Sequence, residues 1–238
     1  MAGARWGGLL LQGAGILASF MLGRAAADSC CSVFRVPFRA RGHLWHLATS
    51  AYMVARLAFV FRSRRDALST CPATGQARDA VLDEYILLEF GRHGAGLLRD
   101  AADPSGAEGD MFAPHVLSVL LSLFALASNA TCFGVGIVPY IAITNPLQHL
   151  SKVLHVAFPG SRAASASSAA FVAAFFVLRV VLYPLCFARP VVLGLAHRMP
   201  PATHRVAAAT IVASYVMQLF WFRQVLVHAR EHVLRTLN

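Results

Sequence analysis

Three side chains with chemistry to offer, Glu89, Arg92 and His93, stand at i, i+3 and i+4 in an otherwise apolar run (AVLDEYILLEFGRHGAGLL, 80–98). On a helix that spacing puts carboxylate, guanidinium and imidazole on one face. They can neutralise one another locally, or Glu89 can point into a bundle and meet a cation from another helix. A charge at mid-membrane costs on the order of 3 kcal/mol, so it needs a partner. His115 opens the next apolar run, where an imidazole can serve as a general base, a structural hydrogen-bonding group or a ligand contact. Thr144 and Asn145 precede Pro146. Arg179 lies in FFVLRVVLYP, with Tyr183 four residues on. It is too deep in that run to reach an interface. The expectation is that it faces inward and is countered by Glu89 or by a lipid phosphate or carboxylate.

These residues need helices to carry them. The stretch 111–158 reads as two apolar helices joined near Ser128 and Asn129. His115, Ser118, Ser122 and Asn129 repeat at helical spacing on the first. Tyr140, Thr144, Gln148 and Ser151 do so on the second. Gly134, Gly136, Pro139 and Pro146 predict that the second helix is bent, with freed carbonyls. A break of that kind is tolerated at membrane depth where it is enclosed by protein or lines a cavity. Two polar lines on apolar cylinders suit a hydrophilic slot inside an apolar bundle.

The composition agrees. Of 238 residues 57% are hydrophobic and 13% charged, against about 25% charged in an average soluble domain. Repeated apolar runs of near-bilayer length then predict an all-α, polytopic membrane protein with about seven transmembrane helices. The net charge of +10 is almost all arginine, with one lysine, Lys152, which suits anionic headgroups. Nothing resembles the compact basic face with aromatic platforms of a nucleic-acid binder.

The predicted spans fall at 6–21, 43–61, 80–98, the two helices of 111–158, 169–185 continuing toward 195, and 206–227. The first is read as a retained helix, although Arg5 before it and GRAAAD after it also suit a cleaved signal. Loops are expected at 22–42, 62–79, 99–110 and 158–168. Arg56, late in the second span, is expected to snorkel toward Arg62, Arg64 and Arg65. Residues 1–42 form an N-terminal helix and basic loop, 43–230 the helical domain and 231–238 a short tail. The cysteines Cys30, Cys31, Cys71, Cys132 and Cys186 form no CxxC pair, so zinc and dithiol chemistry are not indicated. Cys132 and Cys186 read as packed apolar residues, and adjacent Cys30 and Cys31 follow the first span, where acylation is possible. His228 and His232 are an i, i+4 pair on a basic tail, and no metal site or cofactor is expected.

The chain resembles the TLC-domain family, which includes the ceramide synthases and several lipid-regulatory membrane proteins. The likeness runs from about Tyr85 to Arg223. Tyr85 and Glu89 stand where members carry Tyr-x-x-x-Asp. Pro114-His115 stands for the His or His-His that opens the next helix. Ala142 to Pro146 stands for a Glu-x-Ser-Thr-Pro-like run. Arg179 to Pro184 matches an arginine in an aromatic-rich helix, and Trp221-Phe222 a Trp-Phe near the last helix end. The resemblance implies a six-helix core around a lipid-accessible cavity, with one extra N-terminal helix, in the endoplasmic reticulum or another endomembrane. In the synthases, paired histidines and two aspartates form the acyl-transfer site. Here the first histidine position is Pro114, the aspartate positions are Ala142 and Asn145, and no carboxylate occurs between Asp110 and Glu231. That places the chain outside the synthase type.

The functional expectation is a protein that binds, senses or handles a membrane lipid and influences lipid composition. His115, Thr144, Asn145, Arg179 and Tyr183 would meet its polar part. One alternative is a divergent acyltransferase or lipid hydrolase using His115 with Glu89. Another is a trafficking adaptor of the early secretory pathway, acting through loops and tail on protein partners the sequence does not name.

Overall fold

The computed structural model describes residues 2–33, 36, 38–64, 79–102, 112–128, 130–188 and 201–237. Their regular structure is helical: α1 (Ala2–Val33), α2 (Phe38–Ser63), α3 (Ala80–Ala102), α4 (Phe112–Ala127), α5 (Thr131–Ala142), α6 (Thr144–Ala157), α7 (Arg162–Phe175), a π-helical continuation (Phe176–Ala188) and α8 (Pro201–Leu237). With α5–α6 taken as one rod and the π segment as part of α7, these make seven helical passes, as the hydropathy predicts. Four of them are long and apolar enough to cross a bilayer: Leu11–Val33, Arg41–Ser63, Arg162–Leu185 and His204–Val227. The polar α3, the short α4, about 24 Å long at 1.5 Å per residue, and the interrupted α5–α6 fall outside that description.

Several helices extend into predicted loops. α1 runs on through RAAADSCC, where three alanines favour helix and Arg24 pairs with Asp28 one turn later at 2.8 Å. The expected loop before the sixth span is short, because Ser161 accepts from the Ala164 N–H at 3.1 Å and starts α7 at Arg162. A helix start is set by its cap, and the small residues after Ser161 then continue the helix. Cys71, Asn129 and the acidic loop 103–110 lie outside the described residues, as do the side chains of Cys132, Cys186, His228 and His232.

The chain forms two compact units. The first holds residues 1–45 and 51–136. In it α3 packs against both α1 and α4. Asp79 caps α3, its carboxylate accepting from the Val81 and Leu82 N–H groups at 2.9 and 3.3 Å. Met53, Leu57 and Val60, at i, i+4 and i+7 on α2, are buried, as are Leu82, Tyr85 and Ile86 on α3. α1 crosses α3 closely at Gly91, where an added Cβ would fall 2.5 Å from the Ile16 side chain. Arg56 does not simply snorkel to the arginines at the helix exit. It pairs with Glu84 of α3 at 2.5 Å and lies over the Phe59 ring, because a carboxylate within reach neutralises it.

The second unit holds residues 46–50 and 137–238. α6 packs on α7, and α8 on the π segment. Its core includes Ala142, Ala164, Phe171, Phe175, Tyr183, Ala207 and Ile211. The helical hydrogen bonding is interrupted at Ile143, between α5 and α6, although the backbone there stays right-handed helical (φ −61°, ψ −31°). Pro146 explains the place: it has no N–H for the Ala142 carbonyl four residues back, and its ring crowds that carbonyl.

Candidate functional site

Each unit buries one polar cluster among apolar helices. In the first unit the cluster grows from α3. Tyr85 donates its hydroxyl to Glu89 Oε1 at 3.0 Å. Arg92 donates to Glu89 Oε2 through Nε and Nη2 at 3.1 and 2.7 Å, and His93 Nε2 lies 3.4 Å from the same oxygen. Glu89 is 6% exposed. The local reading of this trio therefore describes it, with the addition that it is buried. Glu89, expected as a counter-charge for Arg179, has both oxygens taken within its own helix.

α4 adds His115. Its ring meets the His93 ring edge-on, centroids 5.3 Å apart, and its Nδ1 lies 3.2 Å from the His93 carbonyl oxygen. The imidazole lies directly over Gly96, where any Cβ would overlap it. Gly96 is thus the notch that lets α4 lay a histidine against the α3 backbone. Sequence reasoning gave His115 as a lone histidine and His93 as a local partner of Glu89. The structure brings the two together as a pair across a separation of 22 residues. The only sequence signal was the glycine three residues after His93, which reads as a point of close approach. Among the described residues no group of three or more His, Cys, Asp or Glu side chains is placed to hold a metal ion.

In the second unit the cluster centres on Arg179, which is 4% exposed. Its Nε donates to Thr144 Oγ1 at 2.7 Å, Nη1 to Gln218 Oε1 at 3.0 Å, and Nη2 to both Asn145 Oδ1 at 2.6 Å and the Ile141 carbonyl at 2.8 Å. Its guanidinium also lies 4.6 Å over the centre of the Phe175 ring. The inward orientation is as expected. The acceptors come from the break between α5 and α6: Ile141 ends the last turn before it, and Thr144 and Asn145 open the first turn after it. Thr144 also donates back to the Ile141 carbonyl at 2.9 Å, so that oxygen takes two bonds. Side chains and a carbonyl on either side of the point where Pro146 interrupts the helix thus serve as acceptors for a fork of five N–H donors.

Tyr183, wholly buried, donates to the Ile211 carbonyl at 3.4 Å. It contacts the rings of Tyr140 and Tyr215, with centroids about 6 Å away. Gln218 was missed, although a glutamine in SYVMQLFWF is a polar group that an apolar helix must turn inward. His46 and His149 stack 5.1 Å apart, and Ser151 and Ser168 share a hydrogen bond of 2.7 Å between α6 and α7. The residues of the predicted polar line from Tyr140 to Ser151 fall on both sides of the interruption at Ile143. Tyr140 lies on α5, and Thr144, Gln148 and Ser151 lie on α6.

Apolar helices long enough to span a bilayer, with Glu89 and Arg179 hydrogen-bonded inside, describe an integral membrane protein. No curated protein matches the chain significantly. The TLC domain shared by TRAM, LAG1 and CLN8 proteins matches residues 39–227. That range contains both polar clusters and includes the 85–223 over which the motifs suggested a resemblance, and the chain belongs to the TLC-domain family.

Proposed function

We propose that the protein binds or handles a membrane lipid and through it influences lipid composition in an endomembrane such as the endoplasmic reticulum. The observation that carries this reading is the Arg179 cluster at the α5–α6 break. Asn145 gives its oxygen to Arg179 while its side chain stays partly exposed. With the oxygen taken, the amide offers N–H donors polarised by the guanidinium, the complement of a phosphate, carboxyl or ester oxygen. Half-buried Tyr140 and Gln148 add further polar groups on either side. Arg179 serves such a ligand through Asn145, its own donors being spent on the protein. Apolar faces on the same helices suit acyl chains.

A second reading is enzymatic, favoured by the His93–His115 pair. A base at His115 would have His93 against its ring, and Glu89 behind His93, as in a histidine backed by a carboxylate. Lipid profiling of cells lacking the protein, rescued by wild type, Asn145→Leu or His115→Ala, separates the two. The lipid-handling reading expects rescue by His115→Ala and failure with Asn145→Leu. Loss of one lipid product with His115→Ala alone, at equal protein level, overturns it in favour of catalysis.

A further inference from the structure

The vicinal thiols Cys30 and Cys31 take no part in either cluster. Helix α1 continues unbroken through them to Val33, at the end of the apolar segment Leu11–Val33. Both are free; Cys30 is exposed and Cys31 half-buried. Successive helical residues point about 100° apart, so one thiol faces outward and the other turns toward the protein. Cys30 continues an outer stripe with Leu22 and Ala26, at i−8 and i−4, all exposed. Leu22 is 71% exposed.

The height of the thiols is fixed by the chain beyond them. The Val36 N–H donates to the Cys31 carbonyl at 2.9 Å, and Arg41 Nε donates to the Val36 carbonyl at 3.0 Å. Arg24, two turns before Cys31, donates to the Gly42 carbonyl at 3.3 Å. The chain thus leaves α1 and enters α2 in a short fastened link. Between residues 24 and 41 the sequence holds Arg24, Arg35, Arg39 and Arg41 against Asp28 alone. With Arg62, Arg64 and Arg65 at the far end of α2 as the opposing count, a basic link of that kind leans by the positive-inside rule to the cytosolic face and to anionic lipid. There thiols stay reduced and long-chain acyl-CoA is at hand.

We infer that Cys30, with Cys31 as a second position, is a site of S-acylation by a long-chain fatty acid. The thiolate sulfur attacks the thioester carbonyl carbon of an acyl-CoA. A new carbon–sulfur bond forms to cysteine, the bond to coenzyme A breaks, and the departing thiolate takes up the proton the cysteine lost. No oxidant or reductant is needed. The acyl chain folds back into the bilayer along Ala26 and Leu22, and the thioester stays at headgroup depth, within reach of hydrolysis.

The test uses the full chain in native membranes. Free thiols are blocked, thioesters are cleaved with hydroxylamine, and the exposed thiols are tagged with a maleimide polymer read as a gel shift. The expected result is a hydroxylamine-dependent shift, reduced mostly by Cys30→Ser, less by Cys31→Ser and abolished by the double substitution. Mass spectrometry of the wild-type peptide Ala25–Arg35 gives the same readout without substitution. No acylated peptide, or a shift unchanged in the double variant, overturns the proposal.

Discussion

Gly96 and Arg179 set the sharpest expectations at the level of single residues. Replacing Gly96 by alanine puts a methyl group into the His115 imidazole, so α4 must shift or the ring must leave. Gly96→Ala is expected to destabilise the protein by about 1–3 kcal/mol as an overpacking change, read as a lower Tm in detergent. His115→Ala in the same background should recover most of that loss, because it empties the space the methyl group needs. Arg179→Lys keeps the charge and loses the fork. One ammonium cannot reach Thr144, Asn145, Gln218 and the Ile141 carbonyl together, so buried acceptors are left unmet at about 1–3 kcal/mol each. Lysine should therefore behave nearly as badly as methionine in a thermal unfolding comparison. At this scale the sequence was informative where chemistry is local. Glu89, Arg92 and His93 are joined by one helical turn, and their grouping follows from spacing alone. The pairing of His93 with His115 does not, since it depends on how α4 lies on α3. Nor does the choice of Gln218 over other polar groups as the fourth Arg179 partner.

Among the elements, the α5–α6 break carries the second cluster. Its existence was legible from the proline and glycine content, and its position follows from one rule, the conflict between Pro146 and the carbonyl four residues before it. Pro146→Ala restores the N–H that the Ala142 carbonyl lacks and relieves the crowding, so helical hydrogen bonding should run on past Ile143, whose backbone is already helical. Hydrogen exchange at residues 143–147 is expected to slow, because the Ala142 carbonyl regains an intrahelical donor at residue 146. Unchanged exchange there would show that tertiary contacts rather than Pro146 set the break. Helix ends were less legible. Hydropathy marks where a helix is apolar, not where it stops, so α1 and α7 extend into stretches read as loops. Arg24–Asp28 and the Ser161 cap are the local causes, and both are polar features outside the apolar window.

On the scale of the molecule, low charge and repeated apolar runs specified a polytopic helical protein. The TLC-domain match over residues 39–227 agrees. The protein is expected to stay in the membrane pellet after alkaline carbonate washing and to need detergent for release; release by carbonate alone would contradict bilayer-spanning helices. Fold class was legible because the bilayer imposes a length and a polarity on every segment. The ligand was not, because a lipid headgroup is recognised by a few polar atoms gathered from separate helices, and no spacing along the chain records that gathering. The Arg179–Asn145 cluster is proposed to meet the polar part of a lipid. The most direct test is the lipid retained by purified protein, compared with bulk membrane by mass spectrometry for wild type and Asn145→Leu. One lipid class should be enriched on the wild type and return to bulk proportion on the folded variant. Bulk proportions on both, or equal enrichment on both, would contradict it.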